Sequence, residues 1–459
     1  MIKRYLINIS EPSDLDLTQD NLMKKIAQAL LTIAGLNLAG LHLASPVFAE
    51  EVMTIEITEG VENATPIAIV PFESPEAGLP VNISQVVTDD LESSGYFKTM
   101  PVTDMPSQPN DFKSIMFDDW KRMGMDNLVV GKASETASGY AIEFRLADVY
   151  KGSQLTGLRV MSKASSLRFA AHQISDVIYE KLTGEQGVFA TRITYITVKK
   201  EGKKKRYHLE MADADGSNPV VLFSTSHPIM SPVWAPNGHQ LAYVSFEEGN
   251  SAIYVQNIST GKRQMVASGR GINSSPAWSP DSSKLAMTLS KDGNPEIYIK
   301  NIRTNQFTRI TNNRAIDTEA AFSPDGRNLV FTSNRGGSPQ IYQTPVSGGS
   351  AQRLTFNMGK YNAGASYSPD GKMLTFVHQS NGAYQIAVLD LDYQQLTVLT
   401  DARQDESPSF APNGNMIIYS TNRGHRSELA AVSVDGKIHK RLTIRGSEVR
   451  DPDWGPFVR

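Results

Sequence analysis

An aromatic residue, then a small residue, then Pro recurs six times in the second half of the chain. The copies are Trp234-Ala235-Pro236, Trp278-Ser279-Pro280, Phe322-Ser323-Pro324, Tyr367-Ser368-Pro369, Phe410-Ala411-Pro412 and Trp454-Gly455-Pro456. The steps between the aromatic residues are 44, 44, 45, 43 and 44. A period of this length filled with strand-like text marks radially repeated sheets, one blade of a β-propeller per repeat.

One repeat shows the logic. Asp325-Gly326 after Ser-Pro is turn chemistry, because Pro presets φ and Asp and Gly accept the tight positions. Residues 328–333, 340–344 and 352–355 then read as strands separated by Gly-rich turns. With the strand before the Pro-turn, each blade has four. Residues 192–198, 206–211 and 219–223 form a three-strand set with no aromatic-Pro strand ahead of it. Residues 451–454 form an inner strand with no set after it. The two fragments complete one another, so six blades close with the last strand zipped onto the first, which removes exposed sheet edges.

The first 49 residues read differently. Met23-Lys24-Lys25, an apolar stretch over 26–43 and a small-x-Ala ending at Ala49 predict a secretory signal cleaved between Ala49 and Glu50. A membrane anchor is the rival, weakened by Asn37, His42 and two glycines in the stretch. Residues 1–22 carry Glu11, Asp14, Asp16 and Asp20, wrong for a signal start, and are expected to be an upstream extension with translation beginning at Met23.

The chain has no Cys, which removes disulfides, thiolate metal sites and a Cys nucleophile. Its net charge of −3 argues against nucleic acid as a partner. Residues 50–187 lack the repeat and mix strand and helix text: strands over 66–71, 127–131, 140–146 and 158–162, helices over 82–94, 111–123 and 166–182. The expected fold class is an α/β N-terminal domain (50–187) followed by an all-β six-bladed β-propeller (188–459) of four-stranded, WD40-like (PD40) blades.

That order resembles the TolB family, periplasmic components of the Tol–Pal system of Gram-negative envelopes. The resemblance is carried by Thr65-Pro-Ile-Ala-Ile-Val-Pro-Phe72, Lys181-Leu-Thr-Gly184, Ala190-Thr-Arg-Ile-Thr-Tyr195, Ser231-Pro-Val-Trp-Ala-Pro236 and Leu241-Ala-Tyr-Val-Ser-Phe-Glu247. It covers essentially residues 50–459. It implies a monomeric, non-enzymatic periplasmic adaptor without cofactor or membrane span in its mature form. Such an adaptor binds the lipoprotein Pal through the propeller, TolA through the mature N-terminus, and other envelope proteins, in support of outer-membrane integrity and constriction at division.

Blade geometry puts the loop before each inner strand and the loop between the second and third strands on one face, where recognition is expected. The candidate Pal-binding residues there are Met230, Ile272, Ser275, Thr318, Glu319, Asn362, Asp405, Glu406 and Arg450, read as loop positions. Met230, Thr318 and Glu319 carry over from the family by position; Ile272 stands where familiar members have His. At the N-terminus, Glu51, Val52, Met53, Thr54, Ile55, Glu56 and Ile57 alternate polar and apolar. This strand is either a fixed edge of its own domain or a detachable strand that adds to another sheet, and the resemblance to a TolA-binding segment favours the second.

The competing function is a periplasmic propeller enzyme, hydrolase or lyase, with its site in the central channel. No Gly-x-Ser-x-Gly elbow occurs, and the histidines stand singly without ligand spacing. Asp281, Asp325 and Asp370 recur as turn residues, and Thr318-Glu319 and Asp405-Glu406 read as polar loops rimming the channel. The run 199–206, with six cations and Glu201, is either a solvated hairpin tip or a patch that steers an acidic partner or touches anionic surfaces. N-terminal sequencing of the exported protein is expected to begin at Glu50; a mature chain retaining residues before Met23 would overturn the leader assignment.

Overall fold

The computed structural model describes residues 53–59, 64–423, 426–444 and 447–457. The expected leader with its Ala49–Glu50 cleavage site lies outside these residues, as do Glu51 and Val52.

Five strands make the N-terminal sheet, in the order Phe97–Thr99, Thr65–Ile69, Asn127–Thr136, Gly139–Asp148 and Ser153–Ser162. The first two junctions are parallel and the rest antiparallel. Helix α1 (Ile83–Ser93) begins where the Asn82 side chain accepts the Gln85 N–H at 3.2 Å. Helix α2 (Phe117–Arg122) follows, and helix α3 (Leu167–Thr183) ends at Gly184 in the left-handed conformation. The apolar stripes of α1 (Ile83, Val87, Leu91) and α3 (Ala170, Ile174, Ile178) close over Ile67, Val129, Ile142 and Phe144. Trp120 of α2 covers the other face of the sheet with Ile115, on Leu128 and Val130.

The spacing predicts one helix over 111–123, and the structure forms two short pieces instead. Asp111 and Ser114 close a capping box around a single tight turn over 112–114. Ile115 then turns extended (ψ 122) and enters the core, so the helix must restart at Phe117. The strand Phe97–Thr99 is absent from the sequence reading, since three residues carry too little pattern.

Six four-stranded units surround the channel. Their inner strands are Ile229–Trp234, Asn273–Trp278, Asp317–Phe322, Asn362–Tyr367 and Asp405–Phe410 (blades 1 to 5) and Glu448–Trp454 (the closing blade). Glu448–Trp454 pairs with Arg192–Glu201, joining the two ends of the propeller in one sheet. The core lies between successive blades: Ile297 and Ile299 of blade 2, for example, meet Phe322, Leu329 and Phe331 of blade 3. At the Pro-turns the Ser279, Ser323 and Ser368 hydroxyls donate to Asp281, Asp325 and Asp370 at 2.5, 2.5 and 2.6 Å. These recurrent aspartates are turn residues; the hydroxyl and amide donors hold the Asp281 carboxyl down at about 2.

The N-terminal strand Met53–Glu59 joins blade 5 as a fifth strand, antiparallel to His439–Ile444, with Ile55 opposite Leu442 and Ile57 opposite Lys440. It is thus not an edge of its own domain's sheet. The domain itself packs on the propeller face opposite the loops between second and third strands. Gly95 (φ 78) meets Ile438 so closely that an added Cβ would lie 3.1 Å from its Cγ2. The Asp176 carboxylate of α3 accepts the linker N–H groups of Phe189 and Ala190 at 2.8 and 3.1 Å. Arg168 Nε donates to Asp215 of the closing blade at 3.1 Å. No helix among the described residues is long and apolar enough to cross a membrane.

Closure is locked by Asp453, which accepts the Trp234 N–H of blade 1 at 2.7 Å and the Ser409 hydroxyl of blade 5 at 2.8 Å. Burial pushes its carboxyl up to about 7, against these two donors. The native state therefore holds a proton that the unfolded chain releases near pH 4. Its stabilisation is complete below that pH, is lost as pH rises towards 7, and stays lost above it. Asp453→Asn keeps an acceptor without the charge. Relative to wild type, the variant is expected to gain roughly 3 kcal/mol between pH 4.5 and pH 8, measured by urea denaturation. A difference independent of pH would show that Asp453 ionises normally.

Candidate partner-binding site at the propeller mouth

In every inner strand the ladder breaks at the same place. The register to the second strand shifts between Met230 and Val233, Ser274 and Ala277, Thr318 and Ala321, Ala363 and Ser366, Glu406 and Ser409, and Arg450 and Asp453. Within each break one residue takes positive φ: Ser231 (50), Ser275 (50), Glu319 (56), Gly364 (67), Ser407 (55) and Asp451 (50). Five of these carry a Cβ in a conformation that costs about 1–2 kcal/mol each. Bulges with strained backbone at one ring re-aim side chains and mark a constrained surface.

The N–H freed by the break bonds to the preceding blade. Glu319 N–H donates to Thr288 Oγ1 (3.2 Å), Gly364 N–H to Thr332 Oγ1 (2.9 Å) and Asp451 N–H to Ser420 Oγ (3.2 Å). Ser231 N–H donates to Asp451 Oδ2 (3.2 Å), carrying the chain of contacts across the closure. The sequence signal for this ring is the residue three places before each repeated aromatic, often followed by Pro; sequence reasoning named Ser275 and Glu319 but not the position they share with the rest.

Most candidates are therefore strand residues, not loop residues. Asn362 is wholly buried, its amide donating to Gln340 Oε1 (2.8 Å) and Met358 O (2.7 Å) while its Oδ1 meets His378 Nδ1 at 2.8 Å. Asp405 is wholly buried as well, and Thr318 is buried. The Asn362 side chain serves the loop and ladder around it, which is how an Asn-Ala pair reads as loop text yet sits in a sheet. Within blade 3, Glu319 accepts a 2.9 Å bond from Thr332 Oγ1, and burial raises its carboxyl above the ordinary range. It keeps solvent access although protein surrounds it, as in a channel. Glu406 is half-buried, takes a 2.5 Å bond from Gln404 and is also raised by burial. Met230, Ser275 and Arg450 are half-buried; Arg450 lies 5.5 Å over the Tyr207 ring. Ile272 is a true loop residue, its N–H donating to Ser290 Oγ at 2.7 Å.

The structure adds mouth residues the sequence did not single out. Ile316 and Phe356, 45% and 61% exposed, precede the inner strands of blades 3 and 4. Beside Phe356, the segments 357–360 and 379–382 border a cleft of about 560 Å³ with His378 on its wall. The mouth thus offers apolar contacts and polar donors on a rigid ring. Those are the elements of protein recognition.

A second cluster lies at the seam between domains. His172, wholly buried, has Nδ1 2.7 Å from Asp90 and Nε2 3.6 Å from Asp215, and the Ser175 hydroxyl donates to Asp90 at 2.6 Å. Among the described residues this is the one grouping with three metal-ligand atoms close together. Arg168 already pairs with Asp215, so a cation there would face a guanidinium. The cluster reads as an ionic rivet between domains. Burial disfavours the imidazolium, but the carboxylates of Asp90, Asp215 and Asp213 together outweigh it and the net shift of His172 is upward.

Comparison with known proteins agrees with this architecture. A family model described as TolB beta propeller domain matches residues 179–458, and one described as TolB amino-terminal domain matches residues 53–155. The Tol-Pal system protein TolB of Nitrosococcus oceani is 54% identical, over 92% of this chain and 98% of its own. That of Xanthomonas campestris pv. campestris is 49% identical, over 95% and 99%. The crystal structure of TolB from Acinetobacter baumannii superposes with a TM-score of 0.82 at 40% identity, covering 88% of this chain and all of that one. By sequence over nearly its whole length, and by both of its domains, the chain belongs to the TolB family of Tol-Pal system proteins.

Proposed function

We propose that the chain is a non-enzymatic periplasmic adaptor that binds Pal at the propeller mouth and TolA through its N-terminal strand, and so supports outer-membrane integrity and constriction during division. The observation that carries the reading is the separation of two candidate binding elements within one compact unit. The bulged inner strands and the exposed Ile316 and Phe356 lie at the mouth. The strand Met53–Glu59 lies at the outer edge of blade 5, paired on one side only among the described residues. An edge strand held by a single backbone ladder suits recognition by strand addition. The channel carboxylates do not favour the enzymatic reading. Asp453 spends its oxygens on Trp234 and Ser409, and Glu319 accepts from Thr332.

Two measurements test this. Thr318→Ile with Glu319→Ala would remove a side-chain bond within blade 3 and cost about 1–3 kcal/mol, so loss of binding there would be ambiguous. Ile316→Asp with Phe356→Asp alters exposed side chains instead. It is expected to weaken Pal at least about tenfold by calorimetry, with an unchanged melting temperature. Unchanged affinity would reject the mouth as the docking face. Deleting residues 50–59 is expected to abolish TolA capture and leave Pal binding intact. Ile55→Pro should weaken TolA capture more than changes at Glu51 or Glu56, because it removes a backbone N–H. Native-strength capture of TolA by the deletion variant would end the strand-addition idea.

A further inference from the structure

The basic run 199–206 forms a hairpin unlike the others on the mouth side. At the level where Val449 of the closing inner strand meets Thr197, the second and third strands of blades 1, 2 and 3 stop pairing. Blades 4 and 5 continue for two pairs, ending at Ser380–Ala383 and Arg423–Arg426. The closing blade continues for four: Val198–Tyr207, Lys199–Arg206, Lys200–Lys205 and Glu201–Lys204. At about 3.4 Å per residue its tip stands about 13 Å above the common level. The turn is two residues long and opens with Gly202 at φ 62, the left-handed position such a turn requires.

The pairing itself is unfavourable to the hairpin. Lys199 faces Arg206 and Lys200 faces Lys205 directly across the ladder, and like charges so placed destabilise a sheet. Glu201 offsets part of this through Arg206 at 3.0 Å, and Glu448 approaches Lys205 only to 4.0 Å. Lys200, Lys203, Lys204 and Lys205 are exposed, and no large apolar residue stands between Lys199 and Arg206. A projection that stays extended despite its own repulsion is matched to a concentrated source of negative charge.

We propose that this hairpin is a contact with a membrane surface, its lysines resting among anionic phospholipid headgroups on the mouth side of the propeller. Five of its six cations are Lys and one is Arg. Lysine acts as a flexible point charge, whereas arginine's fork reads carboxylates held in fixed geometry. A fluid headgroup layer, with anions at no fixed spacing, fits the first; an acidic protein epitope fits the second. Polybasic segments gain attraction with each cation brought to an anionic leaflet, and salt screens it.

The test is co-sedimentation of the protein with vesicles of equal parts phosphatidylglycerol and phosphatidylcholine, against phosphatidylcholine alone, with Pal affinity measured in parallel. Binding is expected only to the anionic vesicles and is lost at high salt. The triple variant Lys200→Gln, Lys204→Gln, Lys205→Gln is expected to bind them at least about tenfold more weakly, with undiminished thermal stability. Replacing the same three residues by Arg should keep binding within about twofold. Equal retention on both compositions, or full retention by the glutamine variant, would overturn the proposal. So would absence of vesicle binding by wild type combined with loss of Pal affinity in the variant, which would assign the hairpin to an acidic protein. Because the vesicles carry no protein, this outcome is independent of the adaptor reading.

Discussion

Everything in the propeller depends on the pairing of Glu448–Trp454 with Arg192–Glu201, two segments from opposite ends of a long stretch of chain. A blade alone is a four-stranded sheet with two greasy faces, and each is satisfied only by its neighbours. The row of blades must therefore bend into a ring or leave two apolar faces in water. The closing sheet resolves this, and Asp453 fastens it to the blades on both sides. Non-local closure of this kind carries a loop-closure entropy cost that the contacts of the closing sheet must offset.

Rigid closure gives the mouth its character. The bulges bring six positive-φ residues to one ring, and the freed N–H groups bond from blade to blade through Thr288, Thr332 and Ser420. Hydrogen bonds across blades, added to apolar packing between them, fix the inner strands where side chains alone would slide. The seam below is held differently. There His172, Asp90, Asp215 and Arg168 join two domains by charge in a buried setting. Removing one partner from such a group costs far more than the group contributes to stability. It specifies one docking angle for the N-terminal domain, and Gly95 against Ile438 leaves little room for another.

The architecture was legible because it repeats. Trp234 through Trp454 mark each blade, and the two incomplete pieces at the ends disclose the closure without any structure. The α/β domain was legible where periodicity is long, as in α1 and α3. It was not legible where local capping overrides periodicity, as at Asp111 and Ser114, or where an element is as short as Phe97–Thr99. At the mouth strand order groups the candidates at one end of the inner strands, but Thr318, Asn362 and Asp405 read as loop residues because polar pairs rarely sit inside sheets. Their burial depends on a bulge whose strained backbone no composition announces. His172 stayed invisible for a simpler reason: its partner Asp90 is 82 residues away and Asp215 belongs to the other domain.

The fifth strand on blade 5 has a further consequence. Blades 2, 3 and 4 end in outer strands of three, two and four residues, too brief to template anything. His439–Ile444 is six residues long, and Met53–Glu59 lies along it. In a crowded compartment, a bare ladder of that length invites a second molecule to dock edge to edge. The N-terminal segment thus sheathes one of the two six-residue outer rims of the ring, the other being Val220–Thr225 of the closing blade, and a chain clipped just before Ala64 would be expected to self-associate more readily while its propeller remained intact.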